Sequence, residues 1–192
     1  MLLVAMAVCW AVLIGVWAFG ALYNARYAPA AIKRDRNMRF GPWLGWIVAA
    51  AGVVLLQTLV PKSMWTAITF RSDWLAVPGL VLLICATLFT LWARWTLGRM
   101  WSYVPSLREH HELHTTGPYR FTRHPIYTGL LGMLLGTALV TGFGGALVGL
   151  LIAGGVFLVR TAQEEKLMLQ TFGEQYSRYQ REVPRLVPFL RI

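Results

Sequence analysis

Four stretches of the chain contain no Asp, Glu, Lys or Arg: Leu2 to Leu22, Trp43 to Val60, Trp74 to Ala93 and Ile126 to Val159. A helix needs roughly 20 apolar residues, at 1.5 Å each, to cross about 30 Å of hydrocarbon. Each of the first three stretches therefore reads as one crossing. The fourth has 34 residues and as a single helix would be about 51 Å long, too long for one span even when tilted. It is expected to fold back at Thr141-Gly142-Phe143-Gly144-Gly145, leaving two arms of about 15 residues around a glycine turn. Whether those arms cross fully or stop short, their outer ends share one face. The expected fold is all-α and integral to the membrane, with five transmembrane helices, the last two a short hairpin. The first stretch has no basic residue before it, exceeds the usual apolar length of a secretory signal, and runs into Tyr23 instead of a small-residue cleavage site. It reads as a retained helix.

Composition agrees. Lys and Arg total 18 against 8 Asp and Glu, a formal charge of +10, yet only 14% of the 192 residues are charged and 57% are hydrophobic. Mean hydropathy is +0.54. A nucleic-acid module carries dense Lys and Arg on a polar surface; here a few cations punctuate apolar runs, so nucleic acid is not an expected partner and membrane lipid is. Sorted by loop, residues 24–42 carry five cations, residues 94–125 five and the tail from Arg160 six, while residues 61–73 carry two and the glycine turn none. Five crossings put sixteen cations on one side and two on the other. By the positive-inside rule the sixteen-cation side is cytoplasmic, with the N-terminus outside and the C-terminus inside. Trp43, Trp46, Trp65, Trp74, Trp92, Trp95 and Trp101 fall near the expected interfaces, as an aromatic belt would. Cys9 and Cys85 lie inside spans and imply no disulfide.

No polar segment exceeds about 33 residues, so no βαβ nucleotide-binding domain can be housed. Any cofactor must be bound by loops and helix ends. Chemistry-bearing residues gather in two places. The first runs from Arg108 to Tyr127 and holds all four histidines, His110, His111, His114 and His124. The first three have spacings that can share a helix face, but after His111-Glu112 the next histidine comes one position too early for the zinc-protease pattern. A solvated loop is expected, and no metal. Gly117-Pro118 reads as a turn, and Pro125 opens the next helix. Arg123, His124 and Tyr127 thus cluster at a helix N-terminus, where an anionic group is favoured; a plain anchor and belt residue remain the alternative for Arg123 and Tyr127.

The second place follows the fifth apolar arm. Arg160 and Glu164, at i and i+4, share a face where hydrocarbon ends. Beyond them Leu169, Phe172, Tyr176, Tyr179 and Val183 recur at steps of 3 and 4 on an otherwise polar helix. That helix is expected to be amphipathic and to lie along the interface or cap the loop, with Pro184 and Pro188 ending it.

These residues resemble a known family. Thr116-Gly117-Pro118-Tyr119, the run Arg123-His124-Pro125-Ile126-Tyr127-Thr128-Gly129, and the later Glu164-Glu165, Phe172-Gly173, Tyr176 and Tyr179 are similar to the isoprenylcysteine carboxyl methyltransferases, relatives of the phospholipid methyltransferases. The resemblance spans about residues 92–190, so residues 1–93 read as three N-terminal transmembrane helices and residues 94–192 as the catalytic region. It implies an integral membrane enzyme that uses S-adenosylmethionine without a Rossmann domain. It also implies cofactor contacts at His111, Glu112, Leu113, His114, Tyr119, His124, Pro125, Ile126, Tyr127 and Glu164, and a substrate contact at Arg160, with Arg160 and Glu164 as the catalytic pair.

Carboxyl O-methylation of a prenylcysteine-like or other small lipophilic acid, entering from the bilayer, is the leading expectation. A carboxylate is already ionised at pH 7 and needs no general base. N-methylation of an amino-headgroup lipid is the alternative and needs a base, with Glu165 or a histidine as candidate. An Arg-His-Pro turn also occurs in NADPH-dependent sterol reductases, a third option that this short chain fits less well. A non-catalytic membrane scaffold would bind no cofactor.

Overall fold

The computed structural model describes residues 1–27, 31–34, 55–56, 58–70, 72–98, 106–108 and 113–190. Among the described residues the helices with defined bounds are α1 (Leu2–Tyr27), α2 (Lys62–Ala67), α3 (Asp73–Leu97), α4 (Pro125–Thr141), α5 (Gly144–Phe172) and α6 (Glu174–Glu182). A 3₁₀ turn covers Gly117–Arg120, and β1 (Ala31–Arg34) pairs antiparallel with β2 (Ser106–Arg108). The helical membrane class expected from the sequence stands, with this short strand pair added to it. Among the described residues three helices, α1, α3 and α5, are long and apolar enough to cross a membrane, and α4 is a shorter apolar helix. The chain is an integral membrane protein. Most of the stretch Trp43 to Val60 lies outside the described residues, as do Trp43, Trp46 and Trp101.

The seam between α3 and α4 holds the bundle together, and small residues make it. Lipid tails are as apolar as leucine, so helices in a bilayer gain little from hiding apolar surface and rely on close packing instead. A Cβ on Gly136 would lie 2.8 Å from the carbonyl oxygen of Gly79 and from the backbone nitrogen of Leu83, and one on Gly132 would lie 2.9 Å from the Ala86 methyl. At Gly129 an added methyl would run into the Thr90 hydroxyl, which donates to the Ala86 carbonyl at 2.7 Å. Backbones thus approach where side chains are missing. The buried centre is Leu13, Leu83, Ala86 and Met133, with Met6, Trp10 and Trp17 of α1 packed against it. Trp10 Nε1 donates to Thr137 Oγ1 at 3.0 Å, tying α1 to α4.

The C-terminal ends of α1 and α3 lie together. The buried Arg94 guanidinium rests on Gly20, where a Cβ would sit 2.5 Å from Nη2. Arg94 Nη1 donates to the Gly98 carbonyl at 3.0 Å, and Asn24 Nδ2 reaches the same oxygen at 3.5 Å. β1 pairs with β2 through Ala31–Arg108, Lys33–Leu107 and Arg34–Ser106, so the strands that follow α1 and α3 lie side by side. Trp74 and Trp95, at opposite ends of α3, are 91% and 85% exposed, the placement of belt residues.

The hairpin turns where the glycines fall. α4 ends at Thr141, Gly142 takes the left-handed conformation (φ 61°, ψ 17°), and α5 starts at Gly144. Its arms are unequal, however, with 17 residues in α4 and 29 in α5. The second arm was expected to stop near Val159, where charges begin. Charge ends hydrocarbon, not helix: between Arg160 and Phe172 no Gly or Pro interrupts the backbone hydrogen bonds, so α5 continues as one rod into water. The expected C-terminal amphipathic helix is divided instead at Gly173 (φ 49°). Leu169 and Phe172 stay on α5, Tyr176 and Tyr179 are buried from α6, and α6 packs on the loop preceding α4.

Candidate active site

Pro125 stands at the first position of α4, where its missing N–H is not needed, and His124 is the residue just before it. One turn on, Tyr127 projects toward α5. Its hydroxyl donates to Glu164 Oε1 at 2.6 Å, and its ring stacks on buried Phe157 at 4.8 Å between centroids. Arg160 Nε donates to the same Glu164 oxygen at 3.1 Å, and its guanidinium lies 5.8 Å from the Tyr127 ring centroid. His124 Nδ1 faces Glu164 Oε2 at 3.5 Å. Four sequence-derived candidates, His124, Tyr127, Arg160 and Glu164, thus form one cluster, on which Glu164 remains 20% exposed.

The other candidates are placed less uniformly. Tyr119 is buried in the 3₁₀ turn, and its carbonyl accepts from the Tyr179 hydroxyl at 2.6 Å. Burial, with Tyr179 and Glu164 adding to it, pushes the Tyr119 phenol up, so it is neutral at pH 7. Pro125 is fully buried, and Ile126 is half-buried. Leu113 and His114 are half-buried in the irregular segment before the turn; His111 and Glu112, and His110 with them, lie outside the described residues.

Glu165, part of the Glu164-Glu165 motif and a candidate base for N-methylation, has surroundings that do not fit a base. Its side chain is 4% exposed and saturated. Oε1 accepts from Arg123 Nε at 2.8 Å and faces His124 Nε2 at 3.2 Å. Oε2 accepts from Gln180 Nε2 at 3.1 Å and Arg185 Nη2 at 2.9 Å. A carboxylate held by two guanidinium groups cannot readily take a proton, so the base that N-methylation requires is absent at Glu165. Arg123 is corrected as well. It was placed at the helix end as a possible anion receptor, but it points into Glu165, and its Nη1 donates to the carbonyls of Gln180 (2.9 Å) and Val183 (2.6 Å).

Those bonds hold the C-terminal segment Val183–Leu186 along the loop. Arg123 N–H donates to Pro184 O at 2.9 Å, His124 N–H to Arg185 O at 3.1 Å, and Thr122 Oγ1 to Arg185 O at 2.6 Å. Thr128 Oγ1 donates to Leu186 O. Sequence reasoning missed Gln180, Arg185 and the role of Glu165, although one signal was available. Ala153, Phe157, Thr161 and Glu165 are buried on α5 at steps of four, so Glu165 continues the inward stripe, and a buried carboxylate requires partners.

Burial by itself would push the His124 imidazolium down. Hydrogen bonds and charge from Glu164 and Glu165 outweigh it and hold His124 above the ordinary histidine value.

A family model described as phospholipid methyltransferase matches residues 74–175, more than half of the chain. Protein-S-isoprenylcysteine O-methyltransferase B of Arabidopsis thaliana is 33% identical over 120 residues, covering 61% of each chain. The human protein-S-isoprenylcysteine O-methyltransferase is 31% identical over 153 residues, covering 71% of this chain and 52% of its own length. A probable protein-S-isoprenylcysteine O-methyltransferase of Oryza sativa subsp. indica is 32% identical over 147 residues, covering 74% of this chain and 76% of its own length. The solved structure of the eukaryotic intramembrane Ras methyltransferase ICMT matches with a TM-score of 0.57 at 26% identity, over 76% of this chain and 51% of that one. The chain spans roughly half to three fifths of most of these relatives. The match begins in α3, includes both arms of the hairpin and takes in the His124–Tyr127 and Arg160–Glu165 clusters, and on that ground this chain belongs to the isoprenylcysteine carboxyl methyltransferase family within the phospholipid methyltransferases.

Proposed function

We propose that this chain is a membrane methyltransferase that uses S-adenosylmethionine to esterify the carboxylate of a prenylcysteine-like or other small lipophilic acid. The observation that carries the reading is the cluster of Arg160, Glu164, Tyr127 and His124 where the apolar part of α5 meets its polar end. Its donor set fits the cofactor. Glu164 offers a partly exposed carboxylate suited to an ammonium group, and His124 beside it holds that carboxylate in place. Around them Leu113, His114, Tyr119, Pro125, Ile126 and Tyr127, with His111 and Glu112, would form the cofactor wall. When bound, the cofactor supplies an electrophilic methyl on a sulfonium.

The protein's own part is positioning and exclusion of water. An acid acceptor arrives ionised, so no side chain has to remove a proton. Arg160 would grip the acceptor carboxylate through its planar guanidinium while Glu164 keeps that guanidinium oriented. Phe157 and Tyr127 form an apolar wall beside it, which keeps water off the nucleophilic oxygens. The lipophilic tail would enter from the bilayer beside the hairpin, and the cofactor from the cytoplasm, to which the sixteen-cation face is assigned with the N-terminus outside. Residues 94–192 would form the catalytic region on the membrane helices of residues 1–93.

Calorimetric titration of the detergent-solubilised protein with S-adenosylhomocysteine, and in parallel with NADPH, tests this. Binding of the first alone is expected, and no binding of it would sink the reading. Glu164→Ala should weaken that binding at least tenfold. Arg160→Ala should retain it and abolish methyl transfer to an S-prenylcysteine acid; normal turnover in both variants would refute the site assignment.

A further inference from the structure

His124 is enclosed by acid on both sides. Nδ1 faces Glu164 Oε2 at 3.5 Å and Nε2 faces Glu165 Oε1 at 3.2 Å, and the ring is 9% exposed. A neutral imidazole has one N–H, so one of its nitrogens would present a lone pair to a carboxylate oxygen. Only the doubly protonated ring donates to both. Around the two acids stand Tyr119 of the 3₁₀ turn and Tyr176 and Tyr179 of α6, phenols that burial pushes up and keeps neutral. Tyr127 of α4 lies 5.9 Å from His124, ring to ring, Arg160 of α5 pairs with Glu164, and Arg123 and Arg185 pair with Glu165. No cation sits between the ring and either carboxylate among the described contacts.

We infer that Glu165 is a positioning residue that keeps His124 an imidazolium and, through it, fixes the Glu164 carboxylate for the cofactor. Glu165 itself touches neither cofactor nor acceptor. Its second oxygen is spent on Gln180 and Arg185, so the same carboxylate ties the Val183–Leu186 segment to the charge state of His124. Adjacent glutamates on one helix thus do different work. Glu164 faces the site, and Glu165, about 100° around the helix, faces the support beneath it. Neutralising Glu165 leaves every site residue chemically intact but removes one of the two acids that hold the ring charged. The inference rests on the methyltransferase reading for what Glu164 binds, and its first test does not.

Nitrogen-15 NMR of histidine-labelled protein in detergent, with His124→Asn to assign the signal, reads the ring directly. Both ring nitrogens of His124 should be protonated at pH 7 in the wild type, and Glu165→Gln should move the titration midpoint down by a unit or more. A neutral His124 in the wild type, or an unmoved midpoint in the variant, overturns the inference. Wild-type spectra alone decide the first point should Glu165→Gln not fold. Calorimetry then adds the functional readout. Glu165→Gln should bind S-adenosylhomocysteine within about threefold of wild type at pH 6 and at least tenfold more weakly at pH 8, whereas mere loss of packing would weaken it equally at both. Equal weakening overturns the positioning role. A wild type with charged His124 and no affinity for S-adenosylhomocysteine overturns the methyltransferase reading and leaves the coupling of Glu165 to His124 standing.

Discussion

The α3–α4 seam and the junction between α5 and the C-terminal segment hold the same protein by opposite means. In the seam, Gly79, Gly132 and Gly136 let backbones touch, and Thr90 uses its hydroxyl within its own helix. At the junction, Glu165 gathers Arg123, His124, Gln180 and Arg185, and backbone N–H groups of residues 123 and 124 pair with the carbonyls of 184 and 185. The difference follows from the solvent. Inside hydrocarbon a charge is expensive and burying apolar surface earns nothing, so only close fit remains. At the water edge charges are tolerable, and paired ones can pin an irregular segment that no helix would order. Each region should therefore fail to a different kind of substitution.

The largest effect is expected at the junction. Glu165→Ala leaves the buried Arg123 guanidinium without its acid and His124 with only one of its two, and removing one partner of a buried pair costs about 3–5 kcal/mol. Thermal unfolding in detergent should show it as the deepest loss of the set; a change under about 1 kcal/mol would mean the junction contributes little. In the seam, Gly129→Ala drives a methyl into Thr90, an overpacking cost of about 1–3 kcal/mol. Its control is Gly154→Ala, where nothing lies within 4 Å of the added Cβ; there the same measurement should show no loss. Equal losses at both positions would break the claim that the seam is defined by close approach.

Acidity separates the two regions more gently. His124 binds its proton more tightly folded than unfolded, so its contribution is complete below the unfolded value of about 6.5 and disappears as pH rises through the raised folded value. Melting temperature should fall across that alkaline window, and His124→Asn should flatten the profile. The smallest effect is expected from Arg181→Ala. Its pair with Glu174 is solvent-exposed, and no measurable shift in melting temperature should result.

Much of this is legible in the sequence. The turn at Gly142 and the start of α4 at Pro125 follow from glycine and proline. His124, Tyr127, Arg160 and Glu164 were singled out by their motifs and do meet. The length of α5 was misjudged because hydropathy marks where lipid ends, whereas a helix ends where its backbone can no longer bond, here at Gly173. Arg123 was placed at the right spot but given the wrong partner, since its guanidinium reaches an acid 42 residues away in sequence.

The sequence by itself determined that this chain lives in a membrane, where its hairpin turns, and which two polar clusters flank that hairpin. Those are local matters of apolar run length, charge placement and spacing within one helix. Only the tertiary structure decided that Glu164 joins Tyr127 and Arg160 while Glu165 joins Arg123 and Arg185. That choice depends on the rotation of α5 against α4 and on a C-terminal segment folding back over the loop, contacts that join residues far apart along the chain.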